Sequence, residues 1–262
     1  MTTETKTESD SDLSERYQDV KARIDQAAQR NGRRGSDVLL VVVTKNADFQ
    51  SIQELIDFGH IDFGESRAQN LIARSAQAKE YIERIASLPE VAGRGAPTEP
   101  NWHMVGRLQR NKVRKVLEVS RLIHSVDSLR LVEEIQAQAS KHGEVTEVLI
   151  EVNITGETSK LGVASAAVRH VVDQIDTMLH VRPRGLMCMA PQTDDEEVIR
   201  NTFTRCFELF DDIQRVGAGG ANFNILSMGM SSDYEIAVEC GANLVRVGTA
   251  IVGKGHGDDD SE

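Results

Sequence analysis

Aromatic side chains make up only 4% of this chain, with one tryptophan among them, so any core it builds must be aliphatic. Cysteine is equally sparse: Cys188, Cys206 and Cys240 show no CxxC spacing and lie in apolar stretches. That pattern fits reduced, buried thiols in a reducing cytoplasm better than a disulfide framework or a zinc site. Basic charge is in deficit, 30 Lys and Arg against 41 Asp and Glu, and the net charge of −11 opposes approach to nucleic acid or an anionic lipid surface. No apolar run approaches the length of a membrane span. The opening stretch MTTETKTESDSDLSERY is acidic and polar where a signal peptide is basic and then apolar. Neither nucleic acid nor membrane is an expected partner, and a small anionic ligand must be held by local donors against an unfavourable global field.

What the chain does have is a regular alternation. Short β-branched runs fall at 38–44, 60–64, 102–106, 122–126, 147–153, 184–189, 223–228 and 243–248. Segments of helical period fall at 13–31, 50–58, 66–87, 109–118, 128–141, 163–179, 194–216 and 231–241. The capping-box pairs Thr193 with Glu196 and Ser232 with Glu235, and Asp127 ahead of the helix at 128, mark helix starts. Eight βα units in this length predict a single (β/α)8 TIM barrel over residues 12–253. A doubly wound sheet is the weaker alternative, because no GxGxxG turn follows the first strand. Residues 1–11 and the acidic tail 254–262 lack apolar periodicity and are expected to be disordered, while 88–101, with three of the five prolines, reads as a surface loop.

In such a barrel, chemistry gathers at the C-terminal ends of the strands. There the first strand, VLLVVVT, runs into Lys45. Many strands end on a charged residue simply by meeting water, so Lys45 alone decides nothing. After the seventh and eighth strands, however, LSMGMSSDYEIAVECGA (226–242) and VRVGTAIVG (245–253) stand at the two positions where barrels bind phosphate. Gly229 and Gly248 allow close backbone approach and Ser227 and Thr249 offer hydroxyls, whereas Ser231 and Ser232 read as helix caps. Arg246 shares one face of the eighth strand with Leu244 and Gly248, where it can pair with Glu65 or Asp127 or donate to a ligand. A lysine, an anion cradle and an arginine between them describe a Schiff-base site for pyridoxal 5′-phosphate (PLP).

The stretches VVVTKNADFQSIQELIDFGHIDFGES, NWHMVGRLQRNK, IHSVDSLRLVEEI, VLIEVNITGETSKLGV, GLMCMAP and LSMGMSSDYEIAVECGANLVRVGTAIVG resemble the pyridoxal phosphate homeostasis (PLP-binding) protein family, over about residues 13 to 253. That family is similar to the N-terminal barrel of alanine racemase and so to the fold-type III group of PLP proteins. The resemblance implies that Lys45 is the Schiff-base lysine, that Ser227, Met228, Gly248 and Thr249 border the phosphate, and that Arg246 faces the pyridine nitrogen. It also implies that Asn70, Asn153, His103 and Met187 surround the ring. The implied role is intracellular PLP homeostasis without an established turnover, with PLP-dependent apoenzymes as candidate recipients. One matched place departs: FGES has Ser66 where the family usually shows asparagine, so a hydrogen bond from that asparagine is not carried over.

The rival reading is a PLP-dependent enzyme acting on amino acids, racemase-like. It needs an electron sink and a base on each face of the substrate. An arginine at the ring nitrogen keeps that nitrogen unprotonated, and Tyr17, Tyr81 and Tyr234 all lie away from the strand ends. A carrier rather than an enzyme is expected. A metal-dependent hydrolase would want histidines near the first strand, which has none; His103 and His124 read as hydrogen-bonded strand residues. Lys112 and Lys160 read as solvated lysines, with a secondary, reversible aldehyde site as the alternative for each. A chain that ends soon after the eighth strand is expected to act as a monomer.

Overall fold

The computed structural model describes residues 12–87, 98–157 and 161–253. Both predicted disordered tails, most of the loop at 88–101, and Lys160 lie outside the described residues. In chain order the elements are α1 (Leu13–Arg30), β1 (Leu39–Val43), α2 (Phe49–Asp57), β2 (Asp62–Glu65), α3 (Ala68–Ala86), β3 (Asn101–Met104), α4 (Val113–Leu117), β4 (Ser120–Val126) and α5 (Leu129–His142). There follow β5 (Thr146–Asn153), β6 (Val163–Ala164), α6 (Ser165–Asp176), β7 (Val181–Met187), α7 (Glu196–Arg215), β8 (Ile225–Ser227), α8 (Tyr234–Glu239), β9 (Leu244–Val247) and α9 (Thr249–Val252).

Every pairing is parallel. Because β4 also pairs with β5 and β1 pairs with β9, eight strands close into the ring β1-β2-β3-β4-β5-β7-β8-β9, with β6 a two-residue addition beside β5. The chain is therefore a (β/α)8 barrel. Its strands are buried on both faces, which is why they read as apolar runs rather than alternations. Val41, Leu122, Leu149, Met187 and Leu244 meet inside the ring, while Val42, Ile123, Ile150, Leu186 and Val245 pack outward into the larger core under the helices. Neither β6 nor α9 is foreseen by periodicity, since elements of two and four residues are too short to show a period.

The helix caps differ from those predicted. Asp195 caps α7, its carboxylate accepting from the Glu197 and Val198 N–H groups at 3.0 and 3.3 Å, while Thr193 accepts from Asp195 instead. At α8 the N-cap is Asp233, whose carboxylate accepts from the Met230 N–H at 2.6 Å, so Ser232 and Glu235 form no capping box. Ser128, not Asp127, stands at the start of α5. At α7 an aspartate closer to the helix, as good an N-cap as threonine, takes the place, whereas Asp233 at α8 makes no side-chain bond to the helix it precedes. Cys188 and Cys206 are buried free thiols as expected, but Cys240 is only half-buried. Among the described residues no helix is long and apolar enough to cross a membrane.

Gly185 permits the β7–β8 contact. It holds φ at +150°, and a Cβ there would lie 1.7 Å from the carbonyl oxygen of Ile225, where the pairing of β5 with β7 also shifts register. Gly185→Ala is expected to lower stability in urea unfolding by roughly 3 to 5 kcal/mol. Gly217→Ala, at φ +73° with open space around it, should cost only about 1 kcal/mol. Equal costs at the two positions would mean that β7 and β8 do not need this close approach.

Candidate functional site

At the end of β1 the backbone turns sharply through residues 44–47. The Thr44 N–H donates to the Gly64 carbonyl at 2.9 Å and its hydroxyl to Glu65 Oε2 at 3.2 Å. Arg74 reaches in from α3, donates to the carbonyls of Thr44 and Ala47, and pairs with the fully buried Glu65 at 3.0 Å. From this clamped turn Lys45 stands exposed at the barrel mouth. Sequence reasoning offered Glu65 to Arg246 and overlooked Arg74. The available signal was a cation on the buried stripe of α3, between Leu71 and Ala78.

Arg246 lies inside the mouth at 4% exposure. Its Nη1 donates to Ser227 Oγ at 2.5 Å and its Nη2 to the Cys188 carbonyl at 3.1 Å. Neither expected carboxylate pairs with it, since Glu65 holds Arg74 and Asp127 accepts from the Ser128 hydroxyl. Burial pushes the pKa of Arg246 down, yet a guanidinium at this site stays charged. Glu151 shares the inward face of β5 with Leu149 and is 5% exposed. Burial, and then Asp127, push its carboxyl above the ordinary range, against the pull of Arg246 and Arg107. Nothing in a single β-branched run distinguishes this inward carboxylate beforehand.

The two glycine loops meet beside Arg246. Gly229 takes φ +90°, and a Cβ there would strike Tyr234 Cα at 2.8 Å; its carbonyl accepts from the Arg246 N–H at 3.0 Å. A Cβ on Gly248 would lie 3.1 Å from the Val43 carbonyl, so this backbone runs close against β1. The hydroxyl of Ser231 accepts from the N–H groups of Gly248 and Ala250 at 3.1 and 3.2 Å. Thr249 is exposed at the same turn. Ser231, read from sequence only as a cap, is therefore the serine that joins the two glycine loops. Ser227 faces the barrel interior, with its hydroxyl on Arg246 and His124, and the fully buried Met228 side chain packs in the outer core.

The remaining predicted residues spread around the ring. Asn70 is half-buried in the first turn of α3. Asn153 folds its side chain into the turn after β5, accepting from the Gly156 N–H at 2.9 Å and donating to the Glu157 carbonyl at 2.8 Å. Met187 lies in the inner apolar layer beneath the mouth. His103 has both ring nitrogens engaged inside the barrel, Nδ1 with His124 at 3.0 Å and Nε2 with Asp62 at 3.3 Å. Ser66, at the departure from the family pattern, donates its N–H to Glu65 at 2.8 Å and so supports the Arg74 clamp. Lys112 is half-buried at the start of α4, away from these loops in sequence and strand order. Among the described residues no three His, Cys, Asp or Glu side chains gather to hold a metal ion.

The sequence matches the family described as alanine racemase, N-terminal domain, over residues 17–255. Among curated relatives, a pyridoxal phosphate homeostasis protein of Aquifex aeolicus is 34% identical over 92% of this chain and 97% of its own length. One from Helicobacter pylori is 36% identical over 82% of this chain and 86% of its own. The structure is similar to PipY of Synechococcus elongatus, solved without PLP (TM-score 0.77, 30% identity, covering 92% of this chain and 100% of that one). It is also similar to the same protein with PLP bound (TM-score 0.74, 28% identity, the same coverage). An alanine racemase of Clostridium difficile, 15% identical with a TM-score of 0.62, shares the fold over 95% of this chain and 56% of its own. A (β/α)8 barrel with this mouth, matched along nearly its whole length, belongs to the pyridoxal phosphate homeostasis protein family.

Proposed function

We propose that the mouth binds PLP and that the chain serves intracellular PLP homeostasis as a carrier, with Lys45 as the covalent anchor. One observation carries this reading. An exposed lysine, a glycine-lined pair of loops and an inward arginine occupy the three adjacent strands β1, β8 and β9, and PLP has three matching handles: an aldehyde, a phosphate and a pyridine nitrogen. PLP, when bound, supplies an aldehyde that a lysine amine can hold by reversible condensation.

Each handle has a residue to receive it. The Lys45 amine is free to reach the mouth because Arg74 and Glu65, not Lys45, hold the turn. The Gly248 and Ala250 N–H groups, now satisfied by Ser231, are donors that an anion can take over, with the Ser231 and Thr249 hydroxyls beside them. We assign Ser227 to the support of Arg246 rather than to the phosphate, and give Met228 no more than a backbone part. Met187 floors the mouth, and Asn70 and Asn153 stand at its rim. Arg246 donates to the pyridine nitrogen and, having no proton to yield near neutral pH, leaves that nitrogen unprotonated.

A racemase-like enzyme fits less well. It requires a second base over the open face of the substrate. Tyr17 is bonded to His60, Tyr81 to Asp57, and Tyr234 is buried in α8 with its hydroxyl unpartnered among the described residues. The relatives' names, which describe homeostasis and no reaction, favour the carrier. On this reading the protein works as a monomer in the cytoplasm, with PLP-dependent apoenzymes as recipients.

Two measurements test this. Borohydride reduction of the PLP-loaded protein followed by peptide mapping should find the pyridoxyl group on Lys45, and Lys45→Ala should fold yet lose the visible band. Label found mainly on Lys112 or Lys160 would overturn the anchor. In the second, Ser231→Ala with Thr249→Ala removes two neutral donors to an anion and should weaken PLP binding by roughly one to three decades. Pyridoxal, which lacks the phosphate, should barely respond, and equal weakening of both ligands would place the phosphate elsewhere.

A further inference from the structure

Arg246 is one end of a buried polar chain that crosses the barrel. Its Nη1 lies 2.5 Å from Ser227 Oγ, and Ser227 Oγ lies 3.1 Å from His124 Nδ1. His124 Nε2 lies 3.0 Å from His103 Nδ1, and His103 Nε2 lies 3.3 Å from Asp62 Oδ1. All five residues are buried. They come from β9, β8, β4, β3 and β2, so the chain spans the ring rather than following its wall.

The chemistry of the two ends sets the direction of every bond between them. A guanidinium only donates, so the Ser227 oxygen accepts on that side. With both imidazoles neutral the order is fixed from the other end: the Asp62 carboxylate only accepts, so His103 carries its proton on Nε2, its bare Nδ1 accepts from His124 Nε2–H, and the bare His124 Nδ1 accepts from the Ser227 hydroxyl. Each member is satisfied with both imidazoles neutral. The dipoles also line up, turning lone pairs toward the cation and N–H groups toward the anion, an alignment that low dielectric strengthens.

Protonation agrees with this arrangement. Burial, and next the neighbouring His103 and Arg246, keep His124 well below its ordinary pKa. Burial opposes the charge on Asp62, but hydrogen bonds from His103 and Asn101 outweigh it and hold the carboxyl low. Asp62 also borders a cavity of about 670 Å³ at the barrel floor, lined in part by Tyr17, Lys21 and His60, where its charge can be hydrated.

We propose that Asp62, His103 and His124 are positioning residues for Arg246: anchored at Asp62, they commit the Ser227 proton away from the mouth, so that the guanidinium is the donor offered there. His103 thus acts through His124 and Ser227 rather than by touching a ligand. The last step, in which the guanidinium meets the pyridine nitrogen, rests on the PLP reading; the chain itself does not.

The test begins with the protein free of PLP. At about pH 8, imidazole 15N shifts should show His103 and His124 each with its single proton on Nε2. An imidazolium, or a proton on Nδ1 of either residue, would overturn the proposal. In His103→Phe, His124 loses its acceptor and should move its proton to Nδ1, turning the Ser227 hydroxyl toward the mouth. PLP affinity should then fall about tenfold, the loss of one hydrogen bond of ordinary strength, while borohydride still labels Lys45. A folded His103→Phe with His124 still protonated on Nε2 would overturn the chain. Should that variant not fold, Asp62→Ala replaces it: without the acceptor nothing holds the His103 proton on Nε2, so the single Nε2–H tautomer of His124 should be lost and PLP affinity should fall with it, and an unchanged His124 tautomer would overturn the proposal. Because the tautomers are read without PLP, failure of the coenzyme to bind would count against the functional reading and leave this part standing.

Discussion

Arg246 carries its charge on the inward face of β9, and among the described residues no carboxylate pairs with it, so hydrogen-bond acceptors must meet that charge. Leaving a buried ion without partners costs about 3 to 5 kcal/mol, while each hydrogen bond to a charged group returns roughly 1.5 to 3 kcal/mol. Two acceptors on two other elements, Ser227 Oγ and the Cys188 carbonyl, are therefore needed, and they tie β9 to β8 and to the end of β7. The tie matters because β8 and β9 share a single register pair, Ser227 with Leu244. Without the arginine the barrel would lose a tie beside the two glycine loops.

A second buried cation does for β1 what Arg246 does for β9. Arg74 neutralises Glu65 and holds the carbonyls on either side of Lys45, so the lysine is exposed on a turn that is not itself loose. The hydrophobic run VLLVVV ends in a cation because the barrel wall ends there. Its neighbours on the ring are β2, which carries Glu65, and β9, which carries Arg246. The turn that carries Lys45 is thus held by Arg74 and Glu65 from behind it.

The architecture was legible in the sequence because parallel strands buried on both faces leave short apolar runs, and all eight barrel strands overlap the expected runs, although β2 and β3 themselves carry no β-branched residue. Lys45, Gly229, Gly248 and Arg246 were legible for a related reason, since strand parity and position after a strand fix where they point. Partners were not. Arg74 with Glu65, and His103 with His124, are joined by neighbouring strands or helices, not by spacing. Ser227 and Ser231 lie four residues apart, yet one faces the barrel interior and the other the cradle, because the Gly229 turn between them breaks the strand's alternation. The caps at Asp195 and Asp233 failed locally, where several good acceptors stand in a row and sequence cannot rank them.

On the proposed reading PLP would meet an arginine rather than a carboxylate at its ring nitrogen, and no tyrosine stands at the mouth among the described residues. That combination suits storage and delivery better than carbanion chemistry. The most direct test loads the protein with PLP labelled with 15N in the pyridine ring and records the shift of that nitrogen near neutral pH. The account predicts an unprotonated nitrogen hydrogen-bonded to Arg246, with a shift that moves in Arg246→Gln. A protonated pyridinium, unaffected by that substitution, would contradict it.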